Sequence, residues 1–189
     1  MVNHLMKRSG HPGNGFYLNN HSELYEQLRD LEKKGEEVIL FGTTFSLLDF
    51  SEKYSLSLTN TIIIETGGMK GRKKEMLREE LMQNLKNSFA EAAIHSEYGM
   101  TELFSQAYAG ESGIYRCPPW MRVLVRDEDD PLSVSAIGKG ALNIIDLANV
   151  HSCSFIATDD VGEVFEDGSF KVLGRLDNSD IRGCSLLTV

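Results

Sequence analysis

The run Thr61-Ile62-Ile63-Ile64, passing directly into Glu65-Thr66-Gly67-Gly68, is the feature that most restricts how this chain folds. Three consecutive isoleucines ending in a polar, glycine-rich turn read as a strand. Val38–Phe41, a short apolar run bounded by Glu37 and Gly42, reads as a second, buried strand. Helical patterns surround both. Ser22 suits an N-cap, Leu24, Leu28 and Leu31 follow at helical spacing, and Gly35 stops them. Phe45, Leu47, Leu48 and Phe50 predict a second helix ending near Ser55. Met76, Leu77, Leu81, Leu85 and Phe89 predict a long amphipathic helix, and Ala92–His95 a third strand. Strand, helix, strand, helix, strand at this spacing implies parallel pairing with right-handed crossovers. The first twenty residues, with Gly10, Pro12, Gly13, Gly15 and Asn19-Asn20, read as loop.

Beyond about residue 110 the texture changes. Tyr115, Val123–Val125, Ala141–Leu147, Ser154–Ile156, Val161–Phe165 and Phe170–Leu173 are short strand candidates. Turns such as Asp130-Pro131 and Asp167-Gly168 separate them. The expected fold class is α/β: parallel βαβ units over residues 1–110, then a β-rich, mostly antiparallel part over residues 111–189.

Composition narrows the function. With 28 acidic and 19 basic side chains the formal net charge is −9, which argues against nucleic acid as a partner, because phosphate binding needs a Lys/Arg surplus. No apolar run approaches the roughly 20 residues that cross a bilayer, and Met1–Gly10 has no apolar core of a signal peptide. Cys117, Cys153 and Cys184 are odd in number and far apart, which predicts reduced thiols in a cytoplasmic protein.

Polar clusters follow the predicted strands, where parallel α/β sheets collect ligands. Glu65–Gly71 either makes a tight turn or lets its paired glycines bring the backbone close to a flat or phosphorylated ligand. It lacks the spacing of a Walker loop. Tyr98-Gly99-Met100-Thr101-Glu102 either starts a helix capped by Thr101 or forms a loop. Such a loop would offer an aromatic face to a base, a hydroxyl to a phosphate and a carboxylate to Mg²⁺. Thr158–Glu163 and Gly174–Asp177 are expected on strand edges, with carboxylates suited to ribose hydroxyls and an arginine suited to a nucleotide. The five histidines show no paired ligand spacing. His95 and Ser96, adjacent in a strand, point to opposite faces. The basic run Lys70–Lys74 reads as the solvated start of a helix or as a contact for an anionic ligand.

Taken in order, Gly67-Gly68, Tyr98–Glu102, Thr158–Gly162 and Gly174-Arg175 resemble the adenylate-forming (acyl-CoA synthetase) superfamily. Within it, Glu65–Gly71, His95–Glu102 and Gly174–Gly183 resemble the acyl-protein synthetase (LuxE-like) branch. The resemblance implies a ligase that uses ATP and Mg²⁺. A carboxylate, here a fatty acid, attacks the α-phosphate to give an acyl-adenylate. The acyl group then passes to an acceptor protein, a carrier protein or coenzyme A. By position, Gly67 and Gly68 would line the adenine slot, Tyr98 would stack on adenine, and Thr101 would contact the α-phosphate. Glu102 would bind Mg²⁺, making Thr101 and Glu102 the implied catalytic pair. Asp160 would hold the ribose hydroxyls with Arg175 assisting, and Asp177 lies at the implied hinge to a mobile lid.

The chain also departs from that pattern. The Ser/Thr/Gly-rich phosphate loop has only Thr43-Thr44 as a thin counterpart, and the lid with its lysine does not follow Gly183. Asp159 stands where glycine is usual, which leaves two adjacent aspartates for the ribose role. The expectation is therefore the nucleotide-binding, carboxyl-terminal part of a longer enzyme. The alternatives are a non-catalytic nucleotide- or acyl-binding module, or an interaction protein whose half-sheet meets a second copy in a homodimer.

Overall fold

In a computed structural model, which describes residues 1–67 and 78–176, the chain forms two compact units. Among the described residues the first comprises 1–67 and 78–94 and the second 95–176. Gly68, the Lys70–Lys74 run, Met76, Leu77, Asp177, Gly183 and Cys184 lie outside the described residues.

The first unit opens with a helix, α1 (Val2–Ser9), inside the segment expected to be loop. None of its residues is buried, so no apolar periodicity announced it, and Gly10 ends it with an N–H bond to the Met6 carbonyl at 3.0 Å. Next comes α2 (His21–Lys34), which buries Leu28 and Leu31. Its N-cap is Asn20 rather than Ser22, and the Asn20 amide donates to Glu23 Oε2 at 3.1 Å. Gly35, at φ +69°, closes it as expected, a backbone state open to glycine without a Cβ penalty. Near the helix end Glu32 Oε1 accepts from Thr59 N at 2.8 Å, Asn60 N at 3.1 Å, Asn60 Nδ2 at 3.0 Å and the Thr59 hydroxyl. That carboxylate fastens the turn leading into the isoleucine strand.

In chain order β1 (Val38–Thr43), α3 (Thr44–Ser51), β2 (Leu56–Ser57), β3 (Thr61–Thr66), α4 (Arg78–Ser88) and β4 (Phe89–Ala90) follow. β1 and β3 pair in parallel from Val38 opposite Thr61 to Thr43 opposite Thr66, as the strand–helix–strand pattern requires. β2 and β4 form a second, two-stranded parallel pair. Phe89, expected in the last helical turn, therefore lies in a strand. It is fully buried and stacks on Phe50 at 5.7 Å. Leu47, Leu48, Leu58, Ile63 and Leu85 complete this core.

The remaining strands are β5 (Ala93–Tyr98), which straddles the division between the units, β6 (Ala107–Ala109), β7 (Tyr115–Arg116) and β8 (Met121–Arg126). They continue with β9 (Val134–Ser135), β10 (Gly138–Asp146), β11 (Phe155–Val164) and β12 (Phe170–Arg175). In the second unit they lie in the order β5-β6-β7-β12-β11-β10-β8-β9. Neighbours there pair antiparallel, as expected for residues 111–189, and the same pattern takes in β5 and β6, which precede them. Met121, Val123, Val125, Leu142, Ile144, Val164 and Phe170 form its core, with alternate residues of β8 turned inward. No helix among the described residues is long and apolar enough to cross a membrane.

β11 corrects two expectations. The segments around 154–156 and 161–165 are one continuous strand that pairs with β10 on one side and β12 on the other, and Thr158-Asp159-Asp160 lies inside it rather than on an edge. Ala141 pairs with Val161 and Asn143 with Ala157, so Leu142 alone stands opposite residues 158–160, leaving a bulge. Beyond the bulge Gly162 is required sterically, because a Cβ there would sit 2.5 Å from the Lys171 carbonyl oxygen and 2.8 Å from Leu142 Cδ2. Gly162→Ala is expected to cost about 1–3 kcal/mol through overpacking, read as a lower urea midpoint. An unchanged midpoint would show that β11 and β12 have room the structure denies.

Candidate functional site

Three residues singled out in the sequence come together in the second unit. Tyr98 is the last residue of β5 rather than part of the following loop, and its hydroxyl donates to Asp160 Oδ2 at 2.8 Å. Asp160 is the register partner of Arg175 across β11 and β12. The guanidinium lies between the two aspartates, with Nη2 3.3 Å from Asp159 Oδ2 and Nε 3.7 Å from Asp160 Oδ1. The bulge turns both carboxylates to one cation, where regular alternation would send them to opposite faces. The Tyr98 ring meets Phe170 edge-on at 5.3 Å and Tyr115 at 5.9 Å. Burial, the charge of Asp160 and the bond donated to it push the Tyr98 pKa far above the ordinary tyrosine value, so the hydroxyl remains a donor.

After Tyr98 the chain makes a turn, not the helix start that Thr101 could have capped. Thr101 and Glu102 are both exposed, and the Thr101 hydroxyl donates to Glu102 Oε2 at 3.0 Å. Two residues absent from the sequence-based expectations hold this turn. The Asn149 amide donates to the Glu102 carbonyl and to the Cys153 carbonyl, each at 2.8 Å. Fully buried Asp146 accepts from Phe104 N at 2.9 Å, Ser105 N at 2.8 Å, Ser105 Oγ at 2.7 Å and Ala148 N at 3.1 Å. Trp120 Nε1 closes the cluster by donating to Ser105 Oγ at 2.9 Å. An aspartate ending a strand before a short 3₁₀ turn is a capping signal, but only the fold brings Phe104 and Ser105 to it.

Gly67 follows β3 in the first unit, at φ +92°, and a Cβ added there would meet nothing within 4 Å. Glu65, nearly buried just before it, accepts from the Thr44 hydroxyl. Gly68 lies outside the described residues. No group of three or more His, Cys, Asp or Glu able to hold a metal ion occurs among the described residues. Mg²⁺ fits nonetheless, since it is commonly held by one or two carboxylates together with substrate phosphates. Exposed Glu102 is the side chain that would supply that ligand. Cys117 is a free thiol that burial pushes up to about 11, so it is protonated and unreactive near neutral pH.

Burial alone would raise the Asp146 carboxyl. The hydrogen bonds from the Ser105 hydroxyl and the Ser105, Phe104 and Ala148 N–H groups outweigh it and hold the pKa below the usual carboxylate value. A lowered folded-state pKa gives stability that is present above the unfolded value, about 3.9, and lost as pH falls through the folded one. Asp146→Asn is expected to lower stability near neutral pH by about 1–3 kcal/mol and to flatten the acid limb of the urea midpoint against pH. An acid limb of unchanged steepness in the variant would contradict this role.

The acyl-protein synthetase (LuxE) family model matches residues 16–188. No curated protein matches the sequence. Among solved structures the chain is similar to the luciferase-like enzyme of the nonluminescent mealworm Zophobas morio, at 18% identity and a TM-score of 0.55, covering 80% of this chain and 41% of that one. It is similar to coronafacic acid ligase from Pectobacterium brasiliense, at 19% identity and a TM-score of 0.54, covering 82% and 32%. It is also similar to O-succinylbenzoate coenzyme A synthetase from Bacillus subtilis in complex with AMP, at 16% identity and a TM-score of 0.55, covering 82% and 34%. At these identities the likeness shows the fold alone, that of the adenylate-forming enzymes. The chain spans between 32% and 41% of the length of these three structures. With nearly all of the sequence matched by the family model, this chain belongs to the LuxE acyl-protein synthetase family.

Proposed function

We propose that this chain carries the adenine and ribose end of a nucleotide site in a cytoplasmic enzyme that activates a carboxylic acid with ATP and passes the acyl group to a protein. The observation that carries the reading is the meeting of Tyr98, Asp160 and Arg175 from β5, β11 and β12. An aromatic ring beside a carboxylate is the pair that a nucleoside calls for: a face for the base and an acceptor for two ribose hydroxyls. Tyr98 occupies Asp160 Oδ2, while Oδ1, 3.7 Å from Arg175 Nε, remains to accept from the ribose. For Gly67 and Gly68 a backbone contact with the base rests on the order of the motifs alone.

Thr101 and Glu102 sit on the exposed turn just past Tyr98, which supports phosphate contact by the hydroxyl and metal ligation by the carboxylate. Bound there, Mg²⁺ would neutralise charge growing on the phosphates. In the first step a carboxylate oxygen of the acid bonds to the α-phosphorus and pyrophosphate leaves. In the second the acyl carbon bonds to the acceptor thiol and AMP leaves. A fatty acid as the acid fits the family's acyl-protein synthetase description, and so does a protein acceptor, with coenzyme A or a carrier protein as the other thiol sources.

Calorimetric titration of the chain with ATP and Mg²⁺ tests the reading. Saturable binding is expected, with Asp160→Ala weakening it about tenfold or more, the scale of a hydrogen bond to a charged group. Glu102→Ala is expected to remove the Mg²⁺-dependent part of ATP affinity and to leave AMP affinity intact. Wild-type affinity in both variants would sink the assignment.

A further inference from the structure

We propose that Arg126, on β8, is a positioning residue that holds the β11 bulge and through it orients the Asp159-Asp160 carboxylates toward a ribose. This rests on the reading of the Asp160 cluster as the ribose end of a nucleotide site.

The bulge strips residues 158–160 of regular partners on β10, and buried backbone groups must find others. Several such bonds are visible. Thr158 Oγ1 donates to the Leu142 carbonyl at 2.8 Å and accepts from Asp160 N at 3.1 Å. Leu176 N donates to the Asp159 carbonyl at 2.9 Å. The Thr158 carbonyl accepts from Arg126 Nη2 at 3.0 Å, a bond that spans β10 to reach β11. Arg126 Nη1 donates to Asn143 Oδ1 at 2.7 Å, and Asn143 sits on β10 at the very edge of the bulge, opposite Ala157.

The two bonds come from one rigid, planar fork, which fixes the distance between Asn143 and the Thr158 carbonyl in a way a lysine ammonium cannot. The peptide that Arg126 grips is the one leading into Asp159. Rotation of that peptide would swing both aspartates, and with them the contacts to Arg175 and Tyr98. Arg126 touches neither carboxylate in these bonds; it acts on them through Thr158.

Paired ligands separate this role from general support of the fold. AMP and 2′,3′-dideoxyadenosine 5′-monophosphate differ only in the ribose hydroxyls that Asp160 is read to hold. Wild type is expected to bind AMP at least about tenfold more tightly. Arg126→Gln is expected to bring that ratio close to one while leaving affinity for the dideoxy ligand unchanged. Arg126→Lys, with the charge but not the fork, is expected to reduce the ratio severalfold, and Asn143→Ala to reduce it in the same direction by less. These two milder variants give the same reading if Arg126→Gln does not fold. A full ratio in all folded variants overturns the proposal, as does an equal loss of affinity for both ligands. A wild-type ratio near one, or no AMP binding, overturns the Asp160 reading itself.

Discussion

Residues 158–160 occupy the space of a single register position in β11, and the polar architecture of the second unit is organised around that misfit. A continuous ladder would have sent Asp159 and Asp160 to opposite faces of the sheet. The bulge instead brings both within reach of Arg175, and Tyr98 fastens Asp160 from β5. Two carboxylates side by side inside a paired strand repel each other, and both are only partly exposed to water. Their persistence there depends on the surrounding donors: one hydroxyl, one guanidinium shared between them, and the bonds that Thr158 and Arg126 make to the bulged backbone. Gly162 then lets β12 close against β11 immediately beyond.

Asp146 solves a related problem differently. It is more deeply buried than either member of the Asp159-Asp160 pair, yet none of its hydrogen-bonded partners is a cation. Four neutral donors satisfy it instead. That arrangement suits a structural role, because removing any partner leaves a buried charge exposed to a large desolvation penalty. Together with Asn149 it fixes the exit of the turn that presents Thr101 and Glu102, whose own side chains stay exposed and bond to each other. The buried, fully bonded groups lie behind the turn, and its exposed side chains lie in front of it.

Much of this was legible in the sequence where apolar periodicity was strong. α2 with its Gly35 stop, the parallel β1 and β3, and the antiparallel second half all follow from spacing and turn residues. Where the signal was weak or ambiguous the reading failed. α1 buries nothing, so it left no pattern among the glycines and prolines around it. Phe89 continued a helical spacing but belongs to a strand, because its side chain fills the core beside Phe50. Thr158-Asp159-Asp160 looked like an interruption between two strands, since a bulge and a turn share the same polar composition. For the site, motif order grouped Tyr98, Asp160 and Arg175, and the fold put them in contact. Arg126, Asn143, Asp146 and Asn149 were silent because the partners that define their roles lie 17 to 47 residues away along the chain, a relation that no local spacing encodes.

The carboxylates brought together by the bulge are proposed to receive a ribose. A crystal structure of the chain with AMP bound tests it most directly. Both ribose hydroxyls are expected within hydrogen-bonding distance, about 2.5–3.0 Å, of a carboxylate of the Asp159-Asp160 pair, with Arg175 still alongside and the bulge unchanged. AMP seated elsewhere on the chain, with those carboxylates facing only Tyr98 and Arg175, would contradict it.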